Sequence, residues 1–155
     1  MQVTLSDPGT IIHGTMFGLF LVMGWIVVVA VLYHSFVARS SPEVSEERRR
    51  WEKTCLIVMV LLGWGAAILG TFWVFPQRLL ASGPQAVGLV SRSMESKELV
   101  IWMATIVMTT VAYILIKYKG RTEEHRRLRG MAALFGLVAL LATGFANGIG
   151  DLLGR

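Results

Sequence analysis

The stretch PGTIIHGTMFGLFLVMGWIVVVAVLYHSFVA, residues 8–38, contains no Asp, Glu, Lys or Arg. A hydrocarbon core about 30 Å thick is crossed by roughly 20 helical residues, so this stretch crosses with a turn or more to spare at each end. It also carries two of the chain's three histidines, His13 near its start and His34 near its end. Three further uncharged runs lie at residues 54–77, 99–116 and 130–150. The run at 99–116 is the shortest, and the stem of Lys117 extends it to the interface. Lipid offers no hydrogen bonds, so each run must satisfy its own backbone, which makes the runs helices. A chain of 155 residues that is 54% hydrophobic is too apolar for an ordinary soluble domain. The expectation is an all-α integral membrane protein, a four-helix transmembrane bundle. It forms one domain over residues 1–155, with spans at about 11–37, 54–76, 98–117 and 130–150.

The charged residues fall between the runs. Arg39, Arg48, Arg49, Arg50 and Lys53 lie in the first connection, and Lys117, Lys119, Arg121, Arg126, Arg127 and Arg129 in the third. The second connection holds only Arg78, Arg92 and Lys97, the start of the chain none, and its end only Arg155. Basic residues collect on the cytoplasmic side. The first and third connections are therefore expected in the cytoplasm, and the N and C termini and the 77–98 connection outside, in the periplasm of a bacterial inner membrane. The formal net charge of +5 is explained by this topology and is no signal for nucleic acid. Residues 1–10 carry no Lys or Arg, unlike the basic start of a secretory signal, so the first helix is expected to be retained. Cys55 is the single cysteine, which excludes an intrachain disulfide and fits an inert thiol near a membrane face.

Small residues spaced four apart let membrane helices approach closely. Gly14/Gly18, Ala66/Gly70, Ala132/Gly136 and Gly144/Gly148 have that spacing. The run Phe72-Trp73-Val74-Phe75-Pro76 predicts an interface and a helix end. The 77–98 connection contains Gly83-Pro84 but keeps Leu79, Leu80, Val87, Leu89 and Val90, so it is expected to be a loop on the membrane surface or against a partner.

Few residues suggest chemistry. His13 falls about a turn inside one membrane face, and an ionisable side chain there is a functional candidate. Neutral imidazole suits an axial haem ligand, a metal ligand or a proton or quinone site; the plain alternative is an interfacial histidine bonded to a carbonyl or water. His34 lies 21 residues on, roughly 31 Å along the helix. It could meet only His125, which sits in the charged run Glu-Glu-His-Arg-Arg. A haem b bound through His13 would need a methionine such as Met94 or Met103, or another subunit, for its second ligand. Glu95, Glu98, Asn147 and Asp151 gather on the His13 side. Glu95 and Glu98 share a helix face if the third helix starts early, and with His13 they could form a carboxylate–imidazole metal site; acidic residues at a helix start are also favoured by its dipole. The methionines fit packing. No nucleotide loop, nucleophile motif or paired-cysteine metal motif occurs, and no charge sits at a span centre. This speaks against an autonomous enzyme, pump or transporter.

Gly70-Thr71-Phe72-Trp73-Val74-Phe75-Pro76-Gln77-Arg78 and Met94-Glu95-Ser96-Lys97-Glu98 resemble the corresponding stretches of small bacterial four-span membrane proteins. There an aromatic–Pro turn closes the second helix and a Glu-x-Lys-Glu run opens the third. The layout is also similar to that of small membrane subunits and four-helix cytochromes of respiratory or photosynthetic complexes, although the paired histidines of such cytochromes are missing. The resemblance implies a small, mainly structural subunit of an electron-transfer complex, with other membrane subunits, lipid and a quinone as partners. A haem b electron carrier using His13, and a small-molecule channel or carrier, are the other expectations.

Overall fold

The computed structural model describes residues 8–37, 46–81, 87–118 and 122–153. Helix α1 is Pro8–Leu32 and ends in a π-helical turn, Tyr33–Val37. Helix α2, Glu46–Leu69, runs into a second π-helical turn, Gly70–Val74, and then into the short α3, Phe75–Ala81. Helices α4, Val87–Lys117, and α5, Glu123–Leu153, complete the chain. Four helices are long and apolar enough to cross a membrane: Pro8–Val37, Arg49–Gln77, Lys97–Lys117 and Glu124–Ala146.

The four long helices form a square. α1 packs on α2 and α5, and α4 packs on the same two. The core runs down the middle: Phe20 and Val28 from α1, Leu56 and Met59 from α2, Met108 and Val111 from α4, Ala133 and Leu140 from α5. The outside is equally apolar, with Ile26, Leu61, Phe135 and Val138 all exposed. In water this would be a defect. In a bilayer the lipid tails are as apolar as the core, so close packing rather than hydrophobic burial holds the helices together.

Glycines make that packing possible at a few defined points. A Cβ on Gly63 would lie 2.9 Å from two ring atoms of Phe20, and one on Gly136 3.1 Å from a Val28 methyl. A Cβ on Gly130 would meet Phe36 at 2.9 Å, so the start of α5 rests on the π-helical end of α1. The Ala66/Gly70 and Ala132/Gly136 pairs are buried as their spacing implied. The Gly14/Gly18 pair is not at a contact within the chain. Both glycines are exposed, and a Cβ on either would meet nothing within 4 Å. Gly144 is equally open. Their spacing leaves the helix face free because the partners of α1 approach it elsewhere, through Phe20, Gly24, Val27, Val28 and Val31.

Two expectations about the connections are corrected. Pro76 does not end the helical path; it is the second residue of α3. Proline has no N–H and its ring clashes with the carbonyl four residues back in a regular helix. Here the preceding turn is widened, with the Phe75 N–H bonding Gly70 O five residues back, and Pro76 falls in the first turn of α3, where N–H groups lack intrahelical acceptors. The 77–98 stretch is likewise not a loop. It is helical to Ala81 and again from Val87, so α4 begins about three turns before the uncharged run; residues 82–86 lie outside the described residues. α5 similarly starts at Glu123, ahead of its apolar run.

At the Arg129 end of the bundle one side chain ties three helices. Arg129 of α5 donates to the carboxylate of Glu52 in α2 and to the carbonyls of Leu115 and of Tyr118 (2.9 Å) at the end of α4. The last carbonyls of a helix have no partner of their own, and the guanidinium's five donors suit this fan of acceptors.

Candidate functional site

At the opposite end, α1, α2 and α4 converge on Gly70. The His13 ring is anchored by Nδ1, which donates to Ala66 O at 2.8 Å. A carbonyl can only accept, so Nδ1 carries the proton and a neutral ring then has its free lone pair on Nε2. The ring lies nearly parallel to Phe17 one turn on, at 6.5 Å between centroids and 11° between planes. Gly70 permits the approach. A Cβ there would lie 2.8 Å from His13 Cε1 and 2.9 and 3.1 Å from the two carboxylate oxygens of Glu98. Imidazole and carboxylate thus flank one point on the backbone and are no more than about 5.7 Å apart at their near atoms.

The carboxylate is held from its other side. The Thr71 hydroxyl donates to Glu98 Oε2 at 2.9 Å and accepts from Trp102 Nε1 at 2.9 Å. Trp102 meets Trp64 edge to face, with centroids 5.5 Å apart, and Trp64 Nε1 donates to Thr109 Oγ1 at 3.1 Å. Thr109 passes its own proton donor back to Thr105 O at 2.7 Å. The indole N–H groups and the Thr71 and Thr109 hydroxyls of this train are all hydrogen-bonded, as a membrane-embedded site requires, while the buried Thr105 hydroxyl has no partner. The π-helical turn contributes by register. A turn of five rather than four residues per hydrogen bond rotates the downstream residues by roughly 100° relative to an α-helix; Thr71 is set against α4 while Gly70 faces α1 and α4 together. Such turns are frequent at functional sites.

Of the residues singled out from the sequence, His13 and Glu98 come together. α4 does start early enough to carry Glu95 one turn before Glu98 on the same face. The side chains of Glu95, Asn147 and Asp151 lie outside the described residues, although all three positions are helical. His34 lies in the π-helical end of α1, edge-on to Tyr33 at 5.3 Å, and His125 packs edge-on to Tyr118 at 5.2 Å. Both belong to the Arg129 end, so the chain offers no second histidine at the depth of His13. Met103 is exposed on the outer surface of α4. The side chain of Met94, the other methionine considered for a haem at His13, lies outside the described residues. Among the described residues, no three His, Cys, Asp or Glu side chains group closely enough to hold a metal ion. Gly70, Thr71 and Trp102 join the site without having been singled out by residue type. Gly70 and Thr71 lie in the stretch 70–78, which meets the stretch 94–98 here through Thr71 and Glu98, while Trp102 lies outside both.

The arrangement has one immobilised imidazole with a nitrogen to spare, one carboxylate on a hydroxyl tether, and aromatic rings on both sides. It can accept a hydrogen bond from a hydroxyl group, at Nε2 of the ring or at the carboxylate, and take up its proton. Comparison with protein-family models, curated proteins and solved structures gives no match to this chain.

Proposed function

We propose that the protein is a small integral subunit of a bacterial electron-transfer complex, respiratory or photosynthetic, in the cytoplasmic membrane, and that it borders a quinone head group at His13 and Glu98. Its main role is structural; electron transfer belongs to the complex. The observation that carries this is the His13–Glu98 pair over Gly70 at a membrane edge. The reduced form, a quinol, offers two hydroxyl donors, gives up two protons on oxidation and travels within the bilayer. The Nε2 lone pair of His13 and the Glu98 carboxylate, within about 6 Å of each other, are acceptors for such hydroxyls. The exposed Gly14/Gly18 face of α1 beside the site supports close approach by a neighbouring helix.

The test is purification of the tagged full chain from its native membranes in mild detergent. The protein is expected to migrate in native electrophoresis within a larger assembly that oxidises quinol, and His13→Ala in that assembly should lower turnover by about 100-fold, the usual scale for a lost acid–base group. His125→Ala, at the other end, should leave turnover unchanged. Migration only as a free 17.1 kDa chain overturns the complex; unchanged turnover in His13→Ala overturns the quinone site. A Soret band in the isolated chain would instead establish a haem, with its second ligand from outside the described residues.

The proposed orientation places the Arg129 end in the cytoplasm, on the strength of the eleven Lys and Arg in the first and third connections. With Cys55 replaced by Ser, single cysteines at Leu80 and Thr122, both exposed, should label from opposite sides of the membrane. An impermeant maleimide on intact cells is expected to reach Leu80→Cys only; reaction at Thr122→Cys only reverses the orientation, and reaction at both sinks the four-span topology.

A further inference from the structure

Between α2 and α4, on the lipid-facing side, runs a shallow groove of about 210 Å³. Its floor is Leu56, Val60, Thr109 and Ala112, and its rims are Ile57 and Leu61 on α2 and Tyr113 and Ile116 on α4. The volume is below the 300–1,000 Å³ of ordinary small-molecule sites, and the lining is almost wholly apolar. The Thr109 hydroxyl does not make it polar, because its hydrogen bonds go to Trp64 and Thr105 O. The groove lies inside both membrane-spanning segments, so its surroundings are lipid chains rather than water.

Its mouth at the Arg129 end is cationic. Lys117 Nζ donates to the Tyr113 hydroxyl at 3.1 Å and lies 5.3 Å from the Tyr113 ring centroid and 5.7 Å from that of Tyr118. An ammonium on a flexible stem is thereby held against the groove's rim. Lys53 precedes Leu56 and Ile57 by one helical turn and so lies on the same face of α2, exposed. The neighbouring acid, Glu52, is neutralised by Arg129. The mouth therefore presents positive charge at one end of the apolar groove, where the spans reach their charged ends.

We propose that this groove is a binding site for an anionic phospholipid, with an acyl chain along Leu56, Val60 and Ala112 and the phosphate at Lys117 and Lys53. The inference rests on membrane insertion and is independent of the quinone reading. The test uses the full chain in phosphatidylcholine vesicles with spin-labelled phosphatidylglycerol or spin-labelled phosphatidylcholine, read by electron paramagnetic resonance. The anionic label should be retained at the protein in preference to the zwitterionic one, each lysine contributing up to about fivefold. The double variant Lys53→Gln/Lys117→Gln should bring the ratio close to one. Arg127→Gln, exposed on α5 and not among the residues that line the groove, should leave it unchanged. Equal association of the two lipids with the unmodified protein overturns the proposal. So does a preference that survives the double variant, or one that Arg127→Gln lowers as much as the double variant does, since that would mean a diffuse basic belt and no site.

Discussion

Gly70→Val is expected to abolish quinol turnover in the assembly as completely as loss of His13, while leaving the chain inserted and folded. The reason is steric and local. The first added carbon would lie 2.8 Å from His13 Cε1 and 2.9 Å from one Glu98 oxygen, closer than a Cβ comes to its neighbours, and 3.1 Å from the other oxygen. Neither neighbour can give way freely: the imidazole is pinned by Nδ1 to Ala66 O and the carboxylate by Thr71. The ring must leave its carbonyl, and a displacement of about 1 Å is enough to cost on the order of 100-fold in rate. The lost hydrogen bond and local overpacking cost about 1–3 kcal/mol in stability. Gly144→Ala is the matched control, since a carbon there also meets nothing within 4 Å. Turnover and thermal unfolding of the two variants, measured on the same preparations, decide the matter. Full turnover in Gly70→Val would mean that the His13–Glu98 geometry is incidental.

Arg129→Leu should be the most destabilising single change at the other end. The Arg129 and Glu52 side chains are only 15% and 22% exposed. Removing the guanidinium strands a carboxylate and uncaps the carbonyls of Leu115 and Tyr118 together. Breaking a fully buried pair costs about 3–5 kcal/mol; the partial exposure here brings the expectation to roughly 2–3 kcal/mol, or a melting point lowered by about 5–10 °C in detergent. The double variant Glu52→Leu/Arg129→Leu should recover part of that loss, because an unpaired charge is worse than an apolar pair. If the double variant is less stable than the single one by the full cost of a second independent change, Glu52 and Arg129 do not act as a pair.

The four spans were legible in the sequence because lipid imposes a crude and strict condition, about 20 residues without charge. The charged start of α2 was legible too, since 45–51 reads as a continuation of the second helix into water and α2 begins at Glu46. The long extension of α4 was not: residues 87–97 carry charges and break no hydropathy rule by being either helix or loop, and Gly83-Pro84 pointed the other way. The two π-helical turns left no mark in composition, since one extra residue in a turn changes no residue type. His13 was legible as the one ionisable group inside the start of its span, and Glu98 as its possible companion. Thr71 and Trp102 were not, because an ordinary hydroxyl and an interfacial tryptophan become site residues only when α2 and α4 are set in register. Arg129 was legible only as one more positive charge. Its role depends on a carboxylate 77 positions earlier in the chain.

That long separation orders events during synthesis. Spans leave the ribosome from first to last, so the second helix reaches the bilayer with Glu52 already at its edge, and the third comes after it with the carbonyls of Leu115 and Tyr118 unmatched. The counter-charge for all of them arrives with the opening turns of the final helix. A nascent chain halted after three spans therefore displays a naked acid beside an uncapped helix end. Arrival of the fourth removes both faults in one step, because the same guanidinium meets the acid and the two carbonyls together.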